Sequence, residues 1–172
     1  ECNGLILNTQ TWKPVVIPPP AFRSNIDAAV VNQHLAADLY TIMPVNDGTI
    51  INVYYWQPLN TWCISTARGY DLTNVKTNQL TYQEILDNLL SSTPYASFNG
   101  LCSTLDQTRT YTFGFKHPDM HPFWTILDAN GNVMPCYDMW FVQSVGADLI
   151  PSYVSPIQGI LEQPVVSMPG VN

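Results

Sequence analysis

The sequence predicts one α+β domain built on antiparallel sheets with flanking helices. Apolar residues make up 46% of the 172-residue chain, enough for a hydrophobic core of ordinary domain size. A run rich in β-branched and aromatic residues, Thr49 to Trp56, precedes a second run at 61–66, which is the pattern of a β-hairpin. Helix-start signals follow, and no repeat or linker divides residues 1–172. Because the chain opens with Glu1, we expect this single domain to be a fragment or processed piece of a longer chain.

The N-terminal half predicts two short strands, a helix and the hairpin. Residues 4–7 and 15–17 are apolar runs around a turn, and three prolines close the second run. A helix over residues 25–40 follows, with Asn25 or Asp27 as its N-cap. The hairpin comprises strands at 49–56 and 61–66 joined by a turn at 57–60.

The C-terminal half predicts two further helices and then mostly strands. Thr81 and Glu84 form a capping box before an apolar helical pattern. Thr93-Pro94 can open a third helix that runs to about Leu105, since proline suits the first helical position. The remaining strand candidates are residues 111–116, 124–127 and 140–145, with a turn at Asn130-Gly131 and a last apolar pair at 165–166.

The number and sign of the charged residues indicate which classes of partner the chain can bind. Six Lys and Arg stand singly against thirteen Asp and Glu, for a net charge of -7. Because nucleic acid binding draws on clustered cations, this argues against a nucleic acid partner. Charged residues total 11%, against about 25% in a typical domain, so we expect a surface covered by other proteins in an assembly. A surface rich in Asn, Thr, Gln and Ser is the alternative. Neither a membrane span nor a signal peptide is predicted, so a cytoplasmic location is expected rather than secretion.

Metal and cysteine chemistry receive little support. The four cysteines form no C-x-x-C pair, so free thiols are expected, with disulfides left open by the even count. His117, Asp119 and His121 lie within five residues, yet Pro118 and Pro122 prevent the helical spacing that would bring the imidazoles together. A structured turn is favoured there, and no metal site is predicted.

Four segments in order carry a family resemblance. They are residues 1–7 (ECNGLIL), 45–49 (VNDGT) with the strand after them, 62–69 (WCISTARG) and 111–118 (YTFGFKHP). Together they resemble the adenylation domain of RNA ligases, a branch of the covalent nucleotidyltransferases, which reads Glu-Cys-Arg-Gly, Lys-x-Asp-Gly-Ser, Ser/Thr-x-x-Gly and Tyr-x-Phe-Glu-Phe there. A weaker fifth match is 161–166 to Glu-Gly-x-Val. The resemblance covers nearly the whole chain and implies the nucleotidyltransferase fold, with an ATP-grasp-like adenylation domain.

The departures from that pattern fall in the implied nucleotide pocket. Val45 stands where the family has its nucleophilic lysine, and an isopropyl group has no lone pair with which to form a phosphoramidate. Asn3 replaces an arginine that would contact the nucleotide, and Gly114 replaces a glutamate that would orient the ribose or assist metal binding. Asp47 and Gly48, which shape the turn, remain. The pocket equivalents are Asn3, Val45, Asp47, Gly48, Gly114 and Glu162, and none is predicted to be catalytic.

Two functions follow. The first is a catalytically inactive RNA-ligase-like domain, a pseudoenzyme that serves as a structural or protein-interaction component and needs no cofactor. The resemblance places such genes in large DNA viruses and so suggests a virus particle. The alternative is an active or nucleotide-binding ligase that uses ATP or GTP with Mg²⁺ and forms a lysyl-AMP intermediate. No other lysine is predicted to lie at a turn that would place it beside a nucleotide phosphate; those considered are Lys13, Lys76 and Lys116. Lys116 is expected to be a solvated strand end.

Overall fold

A central antiparallel sheet organises the molecule, and the predicted α+β class is confirmed. The computed structural model describes residues 4–20, 27–35, 46–158 and 160–162. Within them the strands are β1 (Ile6–Leu7), β2 (Pro14–Val16), β3 (Thr49–Trp56), β4 (Thr61–Ser65), β5 (Thr110–Lys116), β6 (Thr125–Leu127), β7 (Val133–Pro135), β8 (Asp138–Val145), β9 (Pro151–Ser152) and β10 (Leu161–Glu162). The helices are α1 (Ala28–Leu35), α2 (Tyr82–Leu90) and α3 (Phe98–Cys102), and a 3-10 turn spans Gln57–Leu59.

The main sheet has the strand order β10-β8-β5-β3-β4, and β9 also pairs with β8. Its pairs are antiparallel except for β10, which runs parallel to β8. Two separate two-stranded ribbons, β1-β2 and β6-β7, complete the described β-structure. The hairpin prediction is confirmed, since β3 has the predicted bounds and β4 ends one residue early.

The two faces of the main sheet differ in what covers them. Side chains alternate along a strand, so Ile51 and Val53 face α2 and α3 in the larger hydrophobic core. Tyr54 faces the other way and packs with Cys63 and with Val16 of β2. On this second face a buried polar row crosses four neighbouring strands, with register pairs that join Ser65, Asn52, Thr112 and Gln143 in that order. The Thr112 hydroxyl donates to Asn52 Oδ1 at 2.8 Å.

The N-terminal predictions are confirmed where the structure describes them. β1 is shorter than the predicted strand, β2 has the predicted length but begins one residue earlier, and the two strands pair as expected. Asp27 caps α1, because its Oδ1 accepts the Ala29 N–H at 2.9 Å. The rest of the predicted helix, 25–26 and 36–40, lies outside the described residues. No helix in the described ranges is long and apolar enough to cross a membrane.

The capping box is confirmed, whereas the third helix begins later than predicted. The Thr81 N–H donates to Glu84 Oε2 at 2.7 Å, and the Glu84 N–H donates to Thr81 Oγ1 at 3.2 Å. The prediction that Thr93-Pro94 opens a helix is wrong. Ala96 has φ 59, in the left-handed region, and Ser97 Oγ accepts the Gly100 N–H as the N-cap of α3. The Ser97 side chain satisfies one of the free N–H groups in the first turn of the helix, which a proline side chain cannot do. The helix therefore starts at Phe98.

The C-terminal strands are confirmed with modest changes of length. β5 and β8 cover the predicted runs, β6 begins one residue later than predicted, and Gly131 has φ 81 in the predicted turn. β8 starts two residues before the predicted strand, and β7 and β9 are added to the prediction. The apolar pair at 165–166 lies outside the described residues.

Replacing Thr81 by alanine should lower the free energy of unfolding by about 1 kcal/mol, because the hydroxyl that accepts the Glu84 N–H is lost. Urea denaturation followed by circular dichroism measures the change. Ser92→Ala, at an exposed position just after α2, is the matched control and should leave the stability within about 0.5 kcal/mol of the parent. Equal losses in both variants would contradict the assignment of a stabilising cap.

Candidate functional site

An indole ring and two glycines form the centre of the candidate site. Trp140 on β8 pairs with Gly114 on β5, and its side chain is 1% exposed. A Cβ atom built on Gly114 would lie 2.2 Å from Trp140 Cε2 and 2.5 Å from Nε1. A Cβ on Gly48 would lie 2.3 Å from Trp140 Cη2 and 2.8 Å from the Phe115 carbonyl oxygen. The ring therefore rests directly on both backbones and fills the space beside them.

The structure brings together three of the six predicted pocket residues. Gly48 leads into β3, whose first residue, Thr49, pairs with Phe115, so Asp47 and Gly48 lie at the same end of the sheet as Gly114. Asp47 is exposed. Asn3 and Val45 lie outside the described residues, as does the side chain of Glu162.

Glu162 takes part through its backbone. It belongs to β10 and pairs with Phe141, the residue after Trp140. The described residues of the weak match at 161–166 therefore lie on the strand next to β8, near the other predicted pocket residues.

A cation and two further rings lie beside the indole. Lys116 Nζ lies 6.0 Å from the centroid of the Trp140 ring and 5.3 Å from that of Trp124. The expectation of a solvated strand end is therefore incomplete, since the ammonium packs against two aromatic rings. His121 stacks on Trp124 with centroids 4.1 Å apart and planes 14° apart.

His121 connects this aromatic group to the start of β3. Its Nε2 lies 3.0 Å from Thr49 Oγ1, while its buried Nδ1 has no partner among the described residues. Burial lowers the pKa of His121; the neighbouring Lys116 lowers it further, and Asp47 partly opposes the shift. The imidazole is thus kept neutral near the glycines.

The His117–His121 segment forms the structured turn that the prolines predict. The His121 N–H donates to the His117 carbonyl at 2.9 Å, and His117 Nδ1 accepts the Asp119 N–H at 3.1 Å. Asp119 is committed to the neighbouring loop. Its carboxylate accepts the Thr77 hydroxyl and the N–H groups of residues 78–80. Burial raises its pKa, but these hydrogen bonds outweigh that effect and lower it overall. In the described ranges no cluster of three or more His, Cys, Asp or Glu could hold a metal ion.

The cysteines carry no sign of chemistry. Cys63, Cys102 and Cys136 are free thiols, as predicted, and Cys2 lies outside the described residues. Burial raises the pKa of Cys102 to about 12, so its reactive thiolate form is suppressed.

Sequence reasoning identified the glycines and missed their partner. Trp140 is a core residue, but nothing in the sequence of its own strand indicates that it lies across Gly48 and Gly114. A usable signal existed at Gly114, because a glycine inside an apolar strand often marks the close approach of another group.

Comparisons with known proteins support the class of an RNA-ligase-like viral protein. No family model and no solved structure matches the chain. A protein named "Putative RNA-ligase" in a South African tick isolate of African swine fever virus is 29% identical over 164 residues, which cover 83% of this chain and 33% of the relative. A protein of the same name in a Malawian tick isolate is 27% identical over 141 residues, covering 70% and 30%. An uncharacterized protein of a Namibian warthog isolate is also 29% identical over 164 residues. The chain spans about a third of the length of these relatives.

Gly114→Ala should lower the free energy of unfolding by about 1–3 kcal/mol, because the added methyl group overlaps a fully buried ring. Chemical denaturation measures the loss. The matched control is the same substitution in a Trp140→Leu background, where a smaller and more flexible side chain should reduce the cost. An equal cost in both backgrounds would show that the indole is not the obstacle.

Acidification should destabilise the fold through the imidazoles of His117, which is buried, and His121, which is half-buried. Burial is the main cause of the lowered pKa of both His117 and His121, whose ordinary value is 6.5. The unfolded chain therefore binds more protons than the folded chain below about pH 6.5, and stability present above that pH is lost as the pH falls. Urea denaturation at pH 7.5, 6.5 and 5.5 should show a shallower loss for His121→Gln than for the parent. Identical pH dependence would contradict a neutral His121.

Proposed function

We propose that this chain is a non-catalytic RNA-ligase-like domain that acts as a structural or protein-interaction component, in a virus particle or in the cytoplasm of the infected cell. The observation that carries this proposal is the Trp140 indole, which occupies the space over Gly48 and Gly114. The similarity to viral proteins with an RNA ligase name supports the family level only.

The Trp140 ring occupies the space that any side chain at position 114 would need. In the family that the sequence resembles, position 114 would carry a glutamate that orients the ribose or assists metal binding. No side chain can leave Gly114 without meeting the indole, because even a Cβ would lie 2.2 Å from the ring. A buried tryptophan at this place therefore requires the loss of the glutamate, and restoring the glutamate would disrupt packing.

The alternative nucleotidyltransferase needs a lysine, and Lys116 is the candidate that the structure favours. It is two residues from Gly114 on β5, beside the end of the sheet where Asp47 and Gly48 lie. Its Nζ, however, packs against the rings of Trp124 and Trp140, which is a cation–π arrangement. This geometry supports a packing role for Lys116.

Covalent labelling separates the two functions. The protein is incubated with α-labelled ATP or GTP and Mg²⁺ or Mn²⁺, and label that survives denaturing electrophoresis is measured. We expect none, and no shift in melting temperature with millimolar nucleotide. Label that is lost in Lys116→Ala and kept in the matched control Lys76→Ala would overturn the proposal.

Introducing the family's lysine tests whether the protein can still form a covalent bond to a nucleotide. Val45→Lys places an amine at the family's nucleophile position, yet we expect no label, because Trp140 fills the space over Gly48 and Gly114 and position 114 lacks its carboxylate. Circular dichroism checks that the variant is folded. Labelling of Val45→Lys would show an intact nucleotide pocket and contradict the role given to Trp140.

A further inference from the structure

The β6-β7 ribbon exposes an unusual amount of apolar surface. Six side chains on or beside it are between 47% (Met134) and 92% (Phe123) exposed. They are Phe123, Ile126, Leu127, Val133, Met134 and Tyr137. A lone two-stranded ribbon is marginally stable in water at best, so this element needs a covering partner.

The exposed apolar side chains lie on both faces of the ribbon. Because side chains alternate along a strand, the paired Ile126 and Met134 lie on one face and the paired Leu127 and Val133 lie on the other. The six exposed side chains together carry on the order of 700 Å², divided between the two faces, so a strand added at the edge of β6 would extend an apolar surface on each side.

The free edge of β6 is suited to backbone pairing. The Cys136 N–H donates to the Trp124 carbonyl at 3.1 Å, and the Asp128 N–H donates to the Asn132 carbonyl at 3.0 Å. Residues 124, 126 and 128 thus bond toward β7, so the N–H and C=O groups of Thr125 and Leu127 point away from it. No other segment in the described ranges pairs with these groups.

The outer edge of β7 is less suited, since Pro135 sits in the strand and has no N–H. A partner strand is therefore expected on the β6 side.

We propose that this ribbon pairs with the same ribbon of a second copy of the chain. Antiparallel pairing of β6 with β6 about a two-fold axis sets Thr125 opposite Leu127 of the second copy, and Ile126 opposite its own equivalent. Four backbone hydrogen bonds form, and the two ribbons become one four-stranded sheet with a closed, self-complementary interface.

The ribbon itself is almost uncharged, so it suits an equally uncharged strand, which the same ribbon of a second copy supplies. Asp128 is the one charged residue in the sequence from 120 to 137, and no Lys or Arg there attracts a nucleic acid. In the paired ribbons the two Asp128 residues stand about 13 Å apart, beyond the ~8–10 Å screening length. The net charge of -7 on each copy opposes association at long range, so salt should strengthen the dimer.

Sedimentation velocity over about 1–200 μM protein, at low and high NaCl, tests the assembly. The parent should form a dimer with a Kd on the order of 10 μM, tighter at high salt. Ile126→Lys should weaken the dimer at least about tenfold, because a charge enters the shared edge. Leu59→Lys makes the same charge change at a 70% exposed apolar side chain outside the ribbon and should match the parent. A monomeric parent, or equal dimerisation of Ile126→Lys, would overturn the proposal.

Disulfide trapping tests the register itself. Ile126 faces its equivalent in a non-hydrogen-bonded pair, where side chains approach closely enough for a disulfide. Ile126→Cys in a Cys136→Ser background should give a covalent dimer on mild oxidation, and Leu59→Cys in the same background should not. A parent dimer without this cross-link would sink the β6 pairing. Neither experiment depends on whether the groove beside Trp140 binds nucleotide.

Discussion

The antiparallel pairing of β5 between β3 and β8 is the constraint on which the rest of the structure depends. Its register sets Gly114 opposite both Ile50 and Trp140, and it sets Thr49 beside Phe115. Because side chains alternate across the sheet, one face receives Phe113 and Phe115 for the core under α2 and α3, while the other receives Gly114 and the buried polar row. A shift of one residue would exchange the two faces.

On the second face the size of the side chains decides what the end of the sheet can hold. Two glycines leave room for a flat ring, and the indole of Trp140 fills it. The ring then provides a surface for the Lys116 ammonium, with Trp124 and His121 next to it. The space over the two glycines is thus occupied by the chain's own aromatic atoms.

The edge strands differ in how far other segments cover their free backbone groups. At the β4 edge, Ile64 is satisfied on both backbone groups, because its carbonyl accepts the Leu72 N–H and its N–H donates to Thr73 Oγ1. The outer side of β8 is covered by β9 and β10. β6 has no such cover among the described residues and also carries apolar side chains. Since an open apolar edge promotes strand pairing, this contrast singles out the ribbon as an interaction surface.

Much of the fold could be predicted because its signals are local. β3 is a β-branched and aromatic run with the bounds expected of it, and the Thr81–Glu84 capping box locates α2 within a single helical turn. The start of α3 could not be predicted in this way. There Ser97 competes with Thr93-Pro94, and the choice depends on the left-handed Ala96 and on Asp87 of α2, which accepts the Phe98 N–H at 2.7 Å. At the site, the sequence picked out Gly48 and Gly114 but not the ring that needs them, since Trp140 lies 26 residues further along the chain than Gly114.

The sequence by itself determined the α+β class, the strand and helix signals and the low charge. Each is a property of single residues or of a few neighbours. Only the tertiary structure decided that Gly48, Gly114 and Trp140 meet, that Lys116 lies against aromatic rings and that no described segment covers the β6 edge. These facts depend on which strands pair and in which register, and that is settled by the packing of the whole chain.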